Sequence, residues 1–212
     1  MSGIAEILIK SGYKVQGSDV SSSKIIDRLI SLGVKIYIGH DKNNIRNASI
    51  VVYSSAIKQN NPEIVEAKKL FIPIIHRSEM LSELMKLKKS IAIAGTHGKT
   101  TTTSLISKIL DTNKMDPTII NGGIISSLAS NAKLGQGQWM VVEADESDGS
   151  FSKLMPTVAV ITNIDLEHLD FHKNENNLEN AFINFISSIP FYGSCSVCIA
   201  VSYTHLTLPT IE

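Results

Sequence analysis

The stretch Ala-Gly-Thr-His-Gly-Lys-Thr-Thr at residues 94–101 combines residue types that bind phosphate groups. It follows the apolar run Ser90–Ile93 and precedes a helix-like segment, Thr102–Leu110, so its glycines lie in a strand-to-helix turn. Such a turn directs the unpaired N–H groups of a helix N-terminus towards one point. Lys99 adds a positive charge, and Thr100 adds a hydroxyl suited to a magnesium ion. The chemistry predicted from this stretch therefore begins with a nucleoside triphosphate.

The match is to a shorter variant of the phosphate-binding loop G-x-x-x-x-G-K-[ST], because Ile93 occupies the position of the first glycine. A glycine-rich turn without a ligand is the alternative, but the adjacent lysine and threonine favour phosphate binding. The predicted nucleotide-binding residues are Gly95, Thr96, His97, Gly98, Lys99, Thr100 and Thr101.

Two polar clusters follow apolar runs that are typical of buried strands. Trp139–Val142 leads into residues 143–148, of which four are acidic, and Thr157–Thr162 leads into residues 163–170. Carboxylates this close repel one another without a cation, and a strand-end carboxylate near a phosphate-binding loop can hold magnesium. Glu143 is the first candidate for this role, although a solvated acidic turn would have the same composition.

His168 lies between acidic residues in the second cluster. From the residues alone it could be a base, a ligand for a second metal ion or a surface histidine. Residues 121–137 are polar and contain several glycines, which predicts a loop that is either ordinary or in contact with substrate.

The elements that must position these residues alternate between helix and strand, which is typical of a parallel, doubly wound α/β sheet. Upstream of the loop, the pattern predicts helices over Met1–Lys10, Lys24–Leu32, Asn61–Lys69 and Ser78–Leu87, and strands over Tyr13–Gly17, Val34–Ile38, Ser49–Tyr53 and Ile72–Ile75. A basic linker at Lys86–Lys89 separates this region from the loop. We therefore predict an α/β chain with a Rossmann-like parallel-sheet domain over residues 1–88. A P-loop ATPase-type central α/β domain is predicted over residues 89–200.

The composition, with 43% hydrophobic and 19% charged residues, is that of an ordinary globular protein. Residues 1–88 carry 13 basic and 8 acidic side chains, whereas residues 89–212 carry 7 and 12. A dense basic run with interleaved aromatic residues is absent from the sequence, so we expect no nucleic-acid partner. The sequence also has no apolar run long enough for a membrane span and no leader pattern, so we expect a cytoplasmic protein.

Six short motifs together resemble the Mur ligase family of bacterial peptidoglycan synthesis, over nearly all of residues 1–200. These motifs are Gly17-Ser18-Asp19, Tyr53-Ser54-Ser55-Ala56-Ile57, Ala94–Thr103, Glu143–Asp148, Asn163–Asp170 and Pro190-Phe191-Tyr192-Gly193. The resemblance implies that ATP phosphorylates the lactyl carboxylate of UDP-N-acetylmuramate and that the amine of L-alanine attacks the resulting acyl phosphate. It implies that UDP-N-acetylmuramate and L-alanine are the small-molecule partners of the protein.

By the same resemblance, Lys99, Glu143 and His168 are the catalytic residues, and Lys99 stabilises the phosphoryl group in transfer. Thr100 and Glu143 would hold one Mg²⁺, and His168 would be a ligand of a second, which replaces its reading as a surface histidine. Two cations would neutralise a carboxylate and a phosphoryl group that otherwise repel.

The resemblance also predicts what the chain lacks. We expect the first strand and glycine-rich loop of the family to precede Met1, and the amino-acid-binding domain to follow residue 200. Residues 201–212 depart from the family pattern and resemble translated adapter DNA, so we expect a non-native tail. The chain alone is then expected to be inactive.

Other functions remain open at this stage. Within the family, a recycling ligase attaches a whole peptide to the same sugar, and residues 146–148 and 167–170 favour the alanine-adding branch. A P-loop kinase or NTPase switch fits the separate first domain poorly. A non-catalytic module that binds a nucleotide or UDP-sugar is the remaining alternative. The sequence does not give the oligomeric state.

Overall fold

The computed structural model describes residues 1–125, 130–145, 149–165 and 175–198. Its helices are α1 (Ser2–Lys10), α2 (Lys24–Ser31), α3 (Pro62–Lys69), α4 (Arg77–Met85), α5 (Lys99–Thr112) and α6 (Glu175–Ser187). Its strands are β1 (Gln16–Asp19), β2 (Lys35–Ile38), β3 (Val51–Tyr53), β4 (Ile74–His76), β5 (Lys89–Ala94), β6 (Thr118–Ile125), β7 (Ser130–Lys133), β8 (Trp139–Glu143), β9 (Val158–Ile161) and β10 (Ser194–Val197). Short 3₁₀ turns lie at Lys42–Ile45 and Ser150–Lys153.

A six-stranded sheet organises the second half of the described chain, in the order β10-β9-β5-β8-β6-β7. All its neighbouring strands are parallel except β6 and β7. The central strand β5 leads into the glycine loop and has β8 and β9 on its two sides, so the carboxyl ends of all three meet at one edge. This arrangement confirms the predicted α/β class and brings the described first residues of both polar clusters, 143–145 and 163–165, to the edge that carries the loop.

The first half contains two parallel strand pairs, β1–β2 and β3–β4, where the sequence pattern predicted a single sheet. Its helices begin where the sequence places capping residues. The Ser23 hydroxyl accepts from the Ile26 N–H at the start of α2, and the Asn61 side chain accepts from the Glu63 N–H at the start of α3. Pro62 follows Asn61 as the first residue of α3, where its missing N–H costs nothing.

Apolar residues from both halves pack into one core. Ile4 and Ile7 of α1 and Met85 of α4 belong to the same buried cluster as the central strands and the aromatic residues Phe151 and Phe182. Apolar packing is therefore continuous across residues 88 and 89, where the sequence predicted a change of domain. The consequence is that α1 and α4 are fixed relative to the central sheet.

Part of the predicted loop at residues 121–137 forms a hairpin. Strand β6 continues to Ile125, and β7 returns antiparallel to it, with Ile125 opposite Ser130 and Ile120 opposite Ala132. Along β7, Ser130 and Ala132 are buried while Asn131 and Lys133 are partly exposed. Buried and exposed positions alternate as in a strand, but the side chains at these positions are small or polar. The hydrophobic pattern therefore did not predict β7.

Several predicted features lie outside the described residues. They are residues 146–148 of the first acidic cluster, residues 166–170 of the second with His168, and the tail at residues 201–212. In the part of the chain that the structure describes, no helix is long and apolar enough to cross a membrane.

Candidate nucleotide-binding site

The glycine loop joins β5 to α5 through two residues that only glycine suits. Gly95 has φ 127° and Gly98 has φ 79°, both in the region that favours glycine. A Cβ atom on Gly95 would also lie 2.8 Å from the Asn163 carbonyl oxygen, closer than such contacts allow. Gly98 is the residue before α5, so the first N–H groups of that helix open towards the loop.

Asn163 holds the loop backbone from the end of the neighbouring strand β9. Its carbonyl oxygen accepts from the Thr96 N–H at 3.1 Å, and its side-chain Oδ1 accepts from the His97 N–H at 2.8 Å. Its Nδ2 donates to the His97 carbonyl at 3.0 Å. Asn163 was predicted from the sequence only as part of a motif, although an amide side chain just after a strand was a signal for this role. These contacts fix the shape of the loop.

The side chain of Thr96 is used within the protein. Its hydroxyl donates to the Asp165 carbonyl at 3.3 Å and accepts from the Asp165 N–H at 2.8 Å. The His97 ring is exposed, and its Nε2 lies 3.8 Å from Asp165 Oδ2. Thr101 is also exposed. Of the predicted nucleotide-binding residues, Thr96 therefore has both its hydroxyl and its backbone N–H bonded within the protein, whereas His97 and Thr101 have accessible side chains.

The Lys99 side chain folds back onto the backbone of the glycine loop. Its Nζ donates to the carbonyl oxygens of Gly95 at 2.7 Å and Thr96 at 3.0 Å. The side chain is partly buried, so its charge is held beside the N-terminal N–H groups of α5. Positive charge and helix N–H groups at one point favour an anion such as a phosphate group.

Glu143 lies next to the loop because β8 pairs with β5, with Ile93 opposite Glu143. Its Oε2 accepts from the Thr100 hydroxyl at 3.0 Å and from the Gly122 N–H at 2.8 Å. A Cβ atom on Gly122 would lie 2.7 Å from Glu143 Oε1, so glycine is required for the carboxylate to sit here. Gly122 is a site residue that the sequence analysis missed, since it fell in a predicted loop.

The Thr100 hydroxyl and the Glu143 carboxylate fit a magnesium ion chemically. Mg²⁺ prefers oxygen ligands and usually takes one or two protein groups together with substrate phosphates and water. Among the described residues there is no group of three or more His, Cys, Asp or Glu side chains that could hold a metal. The donors present therefore suit an ion shared with a phosphate better than a site made by the protein alone.

A cavity of about 160 Å³ opens beside this carboxylate, between the two halves of the chain. Glu143, Gly122 and Asn121 line one side, and the first residues of α1 and α4 line the other. Arg77 at the start of α4 donates to Asp145 Oδ2 at 2.7 Å, across the same cavity. A second substrate bound here would lie next to a phosphate group held by the glycine loop.

A parallel sheet with a glycine turn, a lysine and hydroxyl at a helix N-terminus and a carboxylate on the next strand defines a P-loop-type α/β nucleotide-binding fold. Comparison with protein families narrows this class. The family described as "Mur ligase family, catalytic domain" matches residues 1–89, and "Mur ligase middle domain" matches residues 93–205. The chain belongs to the Mur ligase family, as its motifs predicted.

Two curated relatives with the same enzyme name illustrate the similarity. The UDP-N-acetylmuramate–L-alanine ligase of Geotalea uraniireducens is 55% identical over 199 residues, which cover 94% of this chain and 43% of the relative. The enzyme of the same name from Geobacter sp. (strain M21) is 53% identical over 212 residues and 46% of its own length. The chain thus spans less than half the length of these relatives.

Solved structures of the family share the fold. UDP-N-acetylmuramate-alanine ligase from Thermotoga maritima matches with a TM-score of 0.82 and 32% identity, over 89% of this chain and 45% of that one. The UDP-N-acetylmuramate:L-alanyl-gamma-D-glutamyl-meso-diaminopimelate ligase from Neisseria meningitides matches with a TM-score of 0.84 and 26% identity. That match covers 93% of this chain and 67% of that one.

Proposed function

We propose that this chain forms the UDP-sugar-binding and ATP-binding parts of an ATP-dependent amide ligase. The ligase joins L-alanine to the lactyl carboxylate of UDP-N-acetylmuramate, a step of peptidoglycan precursor synthesis. Residues 1–88 would be the sugar-nucleotide domain and residues 89–200 the ATP-binding domain. Two identities support the choice of substrate. A curated ligase of this name is 55% identical, and among solved structures the alanine ligase is 32% identical and the peptide-attaching ligase 26%.

The observation that carries the nucleotide role is the contact between Thr100 and Glu143 beside the Lys99 ammonium. A hydroxyl at a helix N-terminus and a carboxylate at a neighbouring strand end are the groups that hold a phosphate-bound magnesium in P-loop proteins. Their oxygen atoms lie 3.0 Å apart, although 43 positions separate the residues in the chain. A solvated acidic turn would not require Glu143 to accept from two donors that come from different elements.

The proposed mechanism assigns a role to each of these groups. The N-terminal N–H groups of α5 and the Lys99 ammonium bind the ATP phosphates and stabilise the charge on the phosphoryl group in transfer. Thr100 and Glu143 would hold a magnesium ion, which would neutralise more of that charge. A lactyl carboxylate oxygen attacks the γ-phosphorus, and ADP leaves. The amine then attacks the acyl carbon, loses a proton and expels phosphate, so that an amide forms.

His168 stays a predicted ligand of a second magnesium ion, outside the described residues. The cavity between the halves would hold the lactyl carboxylate next to the phosphate site. Because it consumes ATP and a UDP-sugar, we propose that the reaction takes place in the cytoplasm.

A recycling ligase that attaches a peptide to the same sugar is the second candidate, since the Neisseria structure matches this fold with a TM-score of 0.84. A non-catalytic nucleotide-binding module is the third.

A phosphate-release assay with ATP and Mg²⁺ separates these candidates. It uses the protein expressed from the gene at the full length of its relatives. The proposed ligase releases phosphate only when UDP-N-acetylmuramate and L-alanine are both present. Release with the sugar nucleotide and L-alanyl-γ-D-glutamyl-meso-diaminopimelate, but not with alanine, would assign the recycling activity. ATP binding without release under either condition would leave a non-catalytic module.

The matched control in this assay is Lys108→Ala, a change in an exposed lysine on the same helix as Lys99. It is expected to keep the activity that Lys99→Ala removes.

A further inference from the structure

Glu6 is a buried carboxylate that the nucleotide site does not use. It lies on α1, in the first half of the chain, and its side chain is only 2% exposed. Acidic side chains are almost never buried so completely unless they are paired. The partners of Glu6 therefore indicate what this residue does.

Three side chains donate to the Glu6 carboxylate. Lys10 Nζ and Arg28 Nη2 donate to Oε1 at 2.6 and 2.9 Å, and Arg28 Nε donates to Oε2 at 3.2 Å. The Ser130 hydroxyl donates to Oε2 at 2.8 Å. Burial raises the pKa of Glu6, but the hydrogen bonds from Lys10, Arg28 and Ser130 outweigh it and bring the pKa below its usual value. The Glu6 carboxylate is thus ionised at neutral pH. We call Glu6 and its partners Lys10, Arg28 and Ser130 the clamp.

The clamp joins the two halves of the chain, because Ser130 is the first residue of β7 in the central sheet. The Ser130 hydroxyl also accepts from the Ala132 N–H at 3.1 Å, which holds the start of β7 in shape. Next to this contact, Asn131 Nδ2 donates to the Ser2 hydroxyl at 3.3 Å. Helix α1 therefore contacts β7 through side-chain hydrogen bonds as well as apolar packing.

Strand β7 in turn determines where part of β6 lies. The ladder between β6 and β8 runs only from Thr118 to Ile120, and the next β6 residue paired with β7 is Ile125, opposite Ser130. The register is irregular between Ile120 and Ile125. Gly122 falls in this irregular stretch, so the pairings on its two sides fix its position, and one of these is at Ser130.

We propose that Glu6 is a positioning residue for the nucleotide site. By holding Ser130 it fixes the β6–β7 hairpin, and the hairpin presents the Gly122 N–H that orients the Glu143 carboxylate towards Thr100. The effect on a bound metal and nucleotide rests on the function proposed above for Glu143. The effect on the Gly122 amide does not, since the hydrogen bond is present in the protein alone.

A purely stabilising clamp predicts a different result. It would lower the melting temperature when broken but leave the Gly122 amide and the affinity of the site unchanged in protein that is still folded. Ser130→Ala removes the contact between the halves with the smallest change in volume. Its matched control is Ser90→Ala, which removes another buried serine hydroxyl. That hydroxyl accepts from the Thr157 N–H, on the β9 side of β5 and not on the side of β8 and β6.

The deciding measurement is amide hydrogen exchange at Gly122, followed by NMR in protein free of metal and nucleotide. We expect exchange in Ser130→Ala to be roughly two- to tenfold faster than in the parent, the range that loss of one hydrogen bond corresponds to. Ser90→Ala should leave it unchanged, and Glu6→Ala should reproduce the effect of Ser130→Ala if it folds. Equal exchange at Gly122 in Ser130→Ala and the parent, or equal acceleration in Ser90→Ala, would overturn the proposal.

A second readout is the affinity for Mn²⁺ in the presence of ATP, measured by electron paramagnetic resonance. Ser130→Ala should bind Mn²⁺ with ATP roughly two- to tenfold more weakly than the parent. If the parent itself binds neither Mn²⁺ nor ATP, the proposed nucleotide function fails. The exchange rate at Gly122 then still decides the role of Glu6.

Discussion

The Thr100 hydroxyl donates to the Glu143 carboxylate across 3.0 Å, at the point where α5 begins and β8 ends. The pairing of β5 with β8 places Glu143 opposite Ile93, two residues before the glycine loop. Sheet topology, and not closeness in sequence, therefore brings these two oxygen ligands together.

Gly122→Ala is expected to damage the site without unfolding the protein. The added Cβ would lie 2.7 Å from Glu143 Oε1 and 2.9 Å from its Cδ, so the carboxylate must leave the position in which it accepts from Thr100 and Gly122. We expect affinity for Mg²⁺ with ATP to fall roughly tenfold or more, since charge-assisted contacts are worth about 1.5–3 kcal/mol. Titration calorimetry with ATP and Mg²⁺ measures the change.

Gly17→Ala is the control for this substitution, because its Cβ would meet only Ile36 Cδ1, at 3.6 Å, in ordinary contact. Gly17 lies in β1, in a different sheet from β6 and β8, so this change should leave nucleotide affinity equal to that of the parent. Unchanged nucleotide affinity in Gly122→Ala would show that the carboxylate does not need its present position.

Phe182→Ala should destabilise the fold strongly. The ring is fully buried and lies 4.9 Å from the Phe151 ring, centroid to centroid. Loss of a buried phenylalanine costs about 3–5 kcal/mol. The adjacent Ile183 is 43% exposed, so Ile183→Ala should change the free energy of unfolding by about 0.5 kcal/mol or less. Urea unfolding followed by circular dichroism compares the two variants. A similar loss of unfolding free energy in both would contradict the burial of Phe182 and the exposure of Ile183 on α6.

Glu6 should contribute to stability in a pH-dependent way. Its pKa lies below the ordinary value of 4.5, because hydrogen bonds outweigh the opposing effect of burial. The contribution is therefore fully present above pH 4.5 and is lost as the pH falls through the lowered pKa. Urea midpoints of the parent should exceed those of Glu6→Gln at pH 7 and approach them in acid. A gap that stays constant down to the acid limit would argue against an ionised clamp.

Cys195 should react far more slowly than Cys198 with an alkylating agent. Burial raises the pKa of Cys195 to about 11. Because only the thiolate reacts, about one molecule in a thousand is reactive there at pH 8. Cys198 is exposed. Mass spectrometry of Cys195→Ser and Cys198→Ser after iodoacetamide treatment compares the sites, and equal rates in folded protein would contradict the burial of Cys195.

The nucleotide loop and its helix could be predicted because local chemistry determines them. Gly95 and Gly98 adopt backbone angles that favour glycine, and the helix begins where Lys99 and Thr100 follow the turn. The strand leading into Glu143 was equally clear, since an apolar run buried on both faces has a strong pattern. Family motifs added the expectation that distant residues share one site.

Features that depend on long-range contacts were not predictable. Strand β7 has few apolar residues, so it is recognised only by its pairing with β6 and its contacts with α1. Glu6 resembled a surface residue of an amphipathic helix, and its partner Ser130 is 124 positions away. Asn163 likewise reaches the loop because β5 pairs with β9. The order of the strands in the sheet could not be predicted from the sequence alone.

Whether Lys99 binds the phosphates of ATP can be measured by titration calorimetry of this chain with ATP and Mg²⁺, for the parent, Lys99→Ala and Lys108→Ala. Both lysines lie on α5, and Lys99 reaches the glycine loop. We expect binding by the parent and by Lys108→Ala, with a loss of roughly tenfold or more in Lys99→Ala. Equal affinity in Lys99→Ala and the parent would contradict it.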